Sequence, residues 1–313
     1  MGSRPSAPLP GLTAERWRRM ALVPRRLEIW TTPGRAGAAA ARVLYQPRRR
    51  ARTGALALAH ALPRRRGRLP AADVAIIVER VAGLLAVPAA AAAALHARES
   101  GRWLIALTGP DGSGVVLKVG PPDDEGLVRE RSMLDELATR VTRFQIPRLR
   151  WHGVIEDRLV IVTDIATRRH ARPEPDLEEA RAVACALATV SDGFVVHGDL
   201  APWNIVPTAD GLALVDWEDG RFEDDPLHDL AHYVTRTGAL LHAWKPDAAV
   251  RHLTGRGGAG PRYLAEIGRR PEEATEHLVR YLRRAGAESS SPALRRYESA
   301  MAEALAAQPA ERD

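Results

Sequence analysis

The stretch from Phe194 to Gly220, FVVHGDLAPWNIVPTADGLALVDWEDG, constrains this chain more than any other. Two apolar runs, IVPT and LALV, flank Ala209-Asp210-Gly211, and Asp-Gly between apolar runs signals a β-hairpin. A three-residue loop pairs Thr208 with Leu212, and counting outward sets Asn204 opposite Asp216. Directly opposed residues of an antiparallel pair have Cα atoms about 4.5–5.5 Å apart. Two oxygen-bearing side chains are therefore expected within reach of one hard cation. Mg²⁺ takes few protein oxygens and completes its shell with phosphates and water. Asp199, five residues before Asn204, is left to accept a proton from an incoming hydroxyl.

The elements around this stretch read as two layers of different kind. Val74, Ile77, Val81, Leu84 and Leu85 recur at helical spacing from Ala71 to Leu85, just after Pro70. Strands are expected near 93–98, at 102–109 and at 115–120, the last two joined by the PDGSG turn. Leu127 to Leu137 returns to helical spacing, and residues 151–155 and 158–165 are a further strand pair. DLEEARAVACALATV (176–190) is an amphipathic helix opening on a capping box, Asp176 with Glu179. Short strands follow near Phe194 to Val196 and Leu212 to Val215, then helices, with a helix start at Pro271. Strands dominate 90–165 and helices 166–313, which argues an α+β fold.

HGDLAPWNI resembles the His-Gly-Asp catalytic motif of the aminoglycoside phosphotransferase and choline kinase-like family. LVDWE resembles that family's metal-binding motif. The resemblance covers roughly residues 90–240. It implies a protein-kinase-like two-lobe fold, with a small antiparallel-sheet N-lobe over 71–165 and a helical C-lobe over 166–313, preceded by an extension over 1–70. It implies ATP and Mg²⁺ as cofactors, Asp199 as catalytic base, Asn204 and Asp216 as metal ligands, and His197 as a brace for the loop. Asp225-Pro226 with Asp229 resembles the following helix, whose aspartate steadies the catalytic loop.

A kinase-like N-lobe needs a lysine for the phosphates. The chain holds 43 arginines and only two lysines, Lys118 and Lys245. Lys118 falls inside a strand, where a charge needs a partner, and its compact ammonium serves phosphate as a point charge, unlike the planar Arg fork. Glu130, on the next helix, is the expected partner, ahead of Glu125 and Glu136, because it begins the register Glu130, Leu134, Leu137 seen in the family. Such a pair must be in place to grip a nucleotide. In the kinase fold the nucleotide loop lies at Glu99-Ser100-Gly101, so GPDGSG reads as a plain turn although Gly109, Gly112 and Gly114 imitate a phosphate cradle. Adenine is expected against the linker near Thr163 to Ile165, with Asp164 and Ile165 contributing backbone groups.

Several other features have plainer readings. His228 and His232 stand at i and i+4, a metal-ligand spacing, with no third ligand nearby except Asp229. Trp203 and Trp217 read as packing around the loop rather than a cage for a quaternary amine. Cys185 is the one cysteine, so no intrachain disulfide forms, which fits a reducing cytoplasm. No run of about 18 strongly apolar residues exists to span a membrane.

Charge is uneven. Residues 1–70 hold sixteen arginines and two acids, Glu15 and Glu28, a net of +14 in a chain of +6; residues 71–313 therefore carry about −8. A basic arm on an acidic body suggests contact with an anionic membrane surface or a polyanionic glycan, and no specific nucleic acid is expected. The arm also imitates a transit peptide and, at Met1-Gly2 with Ser6, a myristoylation pattern. The expected location is the cytoplasm, with peripheral membrane association through the arm.

These readings point to a small-molecule kinase. LVDWE leads to the next helix within a few residues, leaving no room for a long activation loop or peptide dock. The leading acceptor is a sugar or glycan-precursor hydroxyl, because the Ala-Pro-Trp-Asn form and an arm containing LYQP look like phosphotransferases of surface glycan synthesis. Six acids over 216–225 keep a cationic acceptor such as an aminoglycoside or choline as an alternative. A nucleotide-binding pseudokinase scaffold is the alternative outside enzymes.

Overall fold

The protein is described by a computed structural model covering residues 17–19, 27–44, 65–66, 72–87, 89–98, 100–111, 113–141, 143–166, 175–190, 194–223, 225–289 and 291–307. The expectations for Met1-Gly2 with Ser6, Pro70, Glu99 and Gly112 lie outside the described residues. The chain divides into two compact units. The first spans Met1–Arg131 and Pro147–Thr167, and the second spans Ser132–Ile146 and Arg168–Asp313.

The first unit is built on one antiparallel sheet. Its strands are β1 (Arg18–Arg19), β2 (Leu27–Thr31), β3 (Arg65–Arg66), β4 (Ala91–Ala97), β5 (Arg102–Thr108), β6 (Gly114–Gly120), β7 (Leu149–Ile155) and β8 (Arg158–Asp164), in the order β3-β1-β2-β4-β5-β6-β8-β7. The period-two alternation of strands sorts side chains onto two faces. On one face Trp30, Ala92, Ala94, Trp103, Ile105 and Leu107 join Val74, Ile77, Val78 and Val81 of α2 (Ala72–Leu84) in a buried core. On the other, Ile29, Ala93, Leu95 and Ala106 meet Ala40 and Ala41 of α1 (Gly34–Leu44). Small alanines on both elements let α1 lie close to the strands. Trp17 is buried in the first of these cores, so residues 17–19 and 27–44 of the basic segment belong to the sheet and its packing. α3 (Glu125–Leu137) follows β6, and its start is fixed by Asp124, which accepts from Leu127 N–H at 3.0 Å.

Among the described residues the second unit is helical apart from two small two-stranded sheets, β9 (Val195–Val196) with β12 (Arg221–Phe222) and the hairpin β10 (Ile205–Thr208) with β11 (Gly211–Leu214). Its helices are α4 (Leu177–Ala188), α5 (His228–Arg236), α6 (Pro246–Thr254), α7 (Ala259–Glu266), α8 (Ala274–Glu288) and α9 (Pro292–Ala306), with a π-helical turn at Thr237–His242 after α5. The α4 capping box forms as expected: Asp176 accepts from Glu179 N–H at 2.9 Å, and the Glu179 carboxylate accepts from Asp176 N–H at 3.2 Å. Helix α5 is buried from His228 to Thr235. Its Leu230 and Val234 pack with Val250, Leu253, Leu278 and Met301. Its Tyr233 packs with Leu200, Ile205, Leu214 and Trp217. A helix submerged on all sides is a rigid post, and it stands beside the loop that carries Asp199.

The hairpin corrects one sequence expectation. Thr208 pairs with Gly211 and Ile205 with Leu214, so the loop has two residues and Asn204 faces Val215, not Asp216. Gly211 explains the difference. Its φ of +134° is open to glycine at little cost, which lets it take up the first strand position instead of the turn.

Candidate active site

The loop between β9 and β10 is held from three directions. Asp229 of α5, buried, accepts from the backbone N–H of His197 at 2.7 Å and of Gly198 at 3.0 Å. His197, fully buried, makes a 3.0 Å Nε2 contact with the Val215 carbonyl and lies 4.6 Å from the Trp217 ring. A ring nitrogen facing a carbonyl must carry the proton, so Nε2–H is the donor. His228 reaches the Gly198 carbonyl at 3.4 Å. Gly198 has a φ of +85°, and a Cβ there would sit 2.3 Å from the Asp219 carbonyl oxygen. Only glycine fits both the backbone conformation and the close approach.

Asp199 emerges from this anchored loop with 28% of its side chain exposed. Asn204 Nδ2 donates to its carbonyl at 2.8 Å and to its Oδ2 at 2.9 Å. His232 Nε2 lies 2.8 Å from its Oδ1. Burial pushes the Asp199 carboxyl up, but the His232 hydrogen bond and the positive groups around it outweigh burial and hold it below the ordinary aspartate value. An ionised carboxylate with one partner fixed on each oxygen and an exposed edge is suited to receive a proton.

Asn204 is buried, and both its Nδ2 contacts go to Asp199; the amide oxygen remains outside them. Asp216 follows Val215, which is fixed on both sides: its N–H donates to the Asn204 carbonyl at 3.0 Å and its carbonyl takes the His197 contact. Asp216 adopts φ +71°, a left-handed conformation that costs an L-residue roughly 1–2 kcal/mol and that aspartate tolerates better than most. Strain of this kind gathers at functional sites. An amide oxygen and a carboxylate form an all-oxygen donor set, the chemistry that hard divalent cations prefer.

In the first unit, Lys118 stands in β6 between Leu104 and Ile161 of the neighbouring strands. Its Nζ lies 2.6 Å from Glu130 Oε2, with 20% and 5% of the two side chains exposed. The rival Glu136 instead pairs with Arg140. Ser100 and Gly101 form the β4–β5 turn, where Gly101 takes φ +66° and Ser100 Oγ accepts from Arg102 N–H at 3.4 Å. Asp164 and Ile165 have their N–H groups engaged by the carbonyls of Arg148 and Gly114 at 3.0 and 3.4 Å. The turn before β6 closes on itself: Gly109 N–H donates to Ser113 O at 2.7 Å, and Asp111 accepts from Ser113 N–H at 3.0 Å. Trp217 is fully buried with its indole N–H on the Leu214 carbonyl at 3.1 Å, and Trp203 is half-buried.

His232 is the site residue the sequence reading missed, having weighed it only as a metal ligand. A signal was present. Asp229, His232 and Arg236 are spaced at i, i+3 and i+7, so one helix face carries all three. Once Asp229 is placed against the loop, His232 must follow it there.

No known protein family matches the sequence, and no curated protein matches it. Among solved structures, the chain is similar to a thermostable mutant of aminoglycoside phosphotransferase APH(4)-Ia in its apo form, with 14% identity and a TM-score of 0.41 over 66% of this chain and 90% of that one. It is similar to the aminoglycoside-3′-phosphotransferase of type VIII, with 18% identity and a TM-score of 0.35 over 64% and 88%. It is also similar to the PknI kinase domain of Mycobacterium tuberculosis, with 18% identity and a TM-score of 0.33 over 64% and 90%.

Proposed function

We propose that this chain is a protein-kinase-like small-molecule phosphotransferase, dependent on ATP and magnesium, that moves the γ-phosphoryl group to a hydroxyl. The observation that carries the reading is the position of Asn204, which ties both the backbone and the carboxylate of Asp199 while keeping an amide oxygen for a cation. The acceptor oxygen attacks the γ-phosphorus, the bond to the β–γ bridging oxygen breaks, and ADP leaves. Asp199 orients the acceptor hydroxyl and takes its proton. Asn204 and Asp216 hold magnesium, which when bound neutralises charge on the phosphates. Lys118, oriented by Glu130, grips the nucleotide phosphates. Ser100 and Gly101 cover them, and backbone groups at Asp164 and Ile165 meet the base.

A sugar or glycan-precursor hydroxyl is the acceptor this reading favours. Of the acids that suggested a cationic acceptor, Glu223 pairs with Arg221 and Arg284, and Asp225 lies 3.4 Å from His228 and 3.8 Å from Arg284. These acids serve the fold and attract a free cation less. The basic segment supports a location near anionic surfaces or glycans. Among the described residues no helix is long and apolar enough to cross a membrane.

Incubation with magnesium-ATP and a panel of sugars, glycan precursors, aminoglycosides and choline tests the proposal, with mass spectrometry reading an added phosphate. Phosphorylation of a sugar-class acceptor is expected. Nucleotide binding without transfer to any acceptor or to water would instead indicate a scaffold.

A further inference from the structure

We infer that His232 is the positioning residue of Asp199, fixing the carboxylate rotamer that an acceptor hydroxyl meets; this rests on the phosphotransfer reading above. Asn204 holds only one oxygen of the Asp199 carboxylate, Oδ2 at 2.9 Å. The other, Oδ1, is fixed by His232 Nε2 at 2.8 Å. Without that second contact the carboxylate can turn about its Cβ–Cγ bond and present either edge.

The ring is itself held on all sides. It stacks on His228 at 6.0 Å between centroids and meets the Tyr281 ring edge-on at 6.2 Å. Its Nδ1 faces the Tyr281 hydroxyl at 3.5 Å. Arg236 Nε lies 2.9 Å from the same Nε2 that faces Asp199. A ring nitrogen has one in-plane position, which is either an N–H or a lone pair. It cannot donate to Asp199 and accept from Arg236 together. A bare nitrogen 2.8 Å from an ionised carboxylate oxygen is repulsive, so the N–H belongs on Nε2 and points at Asp199. The guanidinium then acts by its charge. Burial first, and Arg236 and His228 with it, push the imidazole below its ordinary value, against the pull of Asp199. A neutral ring donates one hydrogen bond without neutralising the carboxylate by proton transfer.

Glu298 of α9 is a buried carboxyl in the same unit; burial pushes it above the ordinary value, against the pull of the Arg236 and Arg295 charges. Glu298 is 2% exposed, and its Oε2 has no hydrogen-bond partner among the described residues. The arrangement runs from the loop through α5 to α9 within one unit. His232, Arg236 and Glu298 all stand on helices.

Turnover of magnesium-ATP with water as acceptor tests the inference in five proteins: wild type, H232L, H232Q, D199N and the D199N/H232L double variant. Misplacing a reacting group by about 1 Å costs on the order of 100-fold. H232L should therefore lower kcat by about 10–100-fold while the KM for ATP is unchanged. H232Q, whose amide N–H can replace Nε2–H, should recover most of the loss. A residue acting only through Asp199 adds nothing once the base is gone, so the double variant should match D199N. Circular dichroism melts show whether H232L is folded, and H232Q decides the matter if it is not. Wild-type kcat in H232L, a H232Q variant as slow as H232L when both are folded, or a double variant much slower than D199N overturns the positioning role. If D199N itself turns over at the wild-type rate, the phosphotransfer reading fails and takes this inference with it.

Discussion

Two backbone N–H groups at the start of the Asp199 loop, those of His197 and Gly198, converge on one buried carboxylate, Asp229. Hydrogen bonds to charged groups contribute about 1.5–3 kcal/mol each, and a buried donor left unpaired costs about 1–3 kcal/mol. Asp229→Ala should therefore destabilise the protein by about 2–5 kcal/mol, read as a shift in the urea midpoint at unchanged m-value. An unshifted midpoint would show that water replaces the carboxylate and that the loop is not hung from α5. Asp216→Ala removes a proposed cation ligand from a strained position, so magnesium-dependent turnover should vanish. Stability should fall by about 1 kcal/mol, because alanine tolerates the left-handed backbone less well than aspartate. Retained turnover in a folded variant would remove Asp216 from the metal site.

At the level of elements, the α3 start concentrates electrostatics in one pair. Arg102 reaches Asp124 with Nε at 2.6 Å and Nη2 at 2.5 Å, and Asp124 also caps Leu127. Burial raises the Asp124 carboxyl, but Arg102 and the capping N–H groups outweigh it and leave the carboxyl below its ordinary value. A carboxyl depressed in the folded state adds stability that is complete above its unfolded value. That stability is lost as pH falls through the folded one. Stability from this pair should thus hold at neutral pH and fall away below about pH 4. Arg102→Met strands the carboxylate in a buried setting, which costs about 3 kcal/mol near neutrality and should cost less in acid, where the carboxyl is protonated. Equal losses at both pH values, measured by urea unfolding, would contradict the assignment.

The same elements show what a sequence discloses. Alternation in Trp103, Ile105 and Leu107, helical spacing in Val74, Ile77 and Val81, and the Asp176–Glu179 capping box are local patterns, and each is legible because its cause lies within a few residues. The Asn204–Val215 register was off by one because Asp210-Gly211 signals a turn without saying whether glycine belongs to the loop or the strand. β1 and β3, two arginines each, carry no periodicity to read. The His232–Asp199 contact spans 33 residues and exists only because the helices around α5 set its rotation.

For the whole molecule, the basic segment is both charge and structure. Trp17, Ile29, Trp30, Ala40 and Ala41 belong to the cores on the two faces of the sheet, so deleting residues 1–70 should yield insoluble or unfolded protein. A soluble, cooperatively melting deletion variant would contradict that packing. The charge is better tested by reversing Arg48, Arg49 and Arg50 to Glu, which changes none of the residues named in those cores. Such attraction is screened beyond about 8 Å at physiological ionic strength. Co-sedimentation with anionic vesicles should therefore be salt-sensitive in the wild type and fall in the reversed variant. Equal binding by both would place any anionic contact elsewhere.

The central claim is that Asp199 takes the acceptor's proton while other groups hold the nucleotide. One paired measurement tests it most directly: turnover and ATP dissociation constant for Asp199→Asn against wild type, the second by titration. General-base catalysis contributes about 10²–10⁴-fold, and asparagine keeps the carboxylate's shape without accepting the proton. Turnover should fall by that factor while the dissociation constant stays within about twofold, because Lys118, Asn204 and Asp216 remain. A dissociation constant that rises in step with the lost turnover would mean that Asp199 holds the nucleotide or the loop. No change in either would mean that the base lies elsewhere.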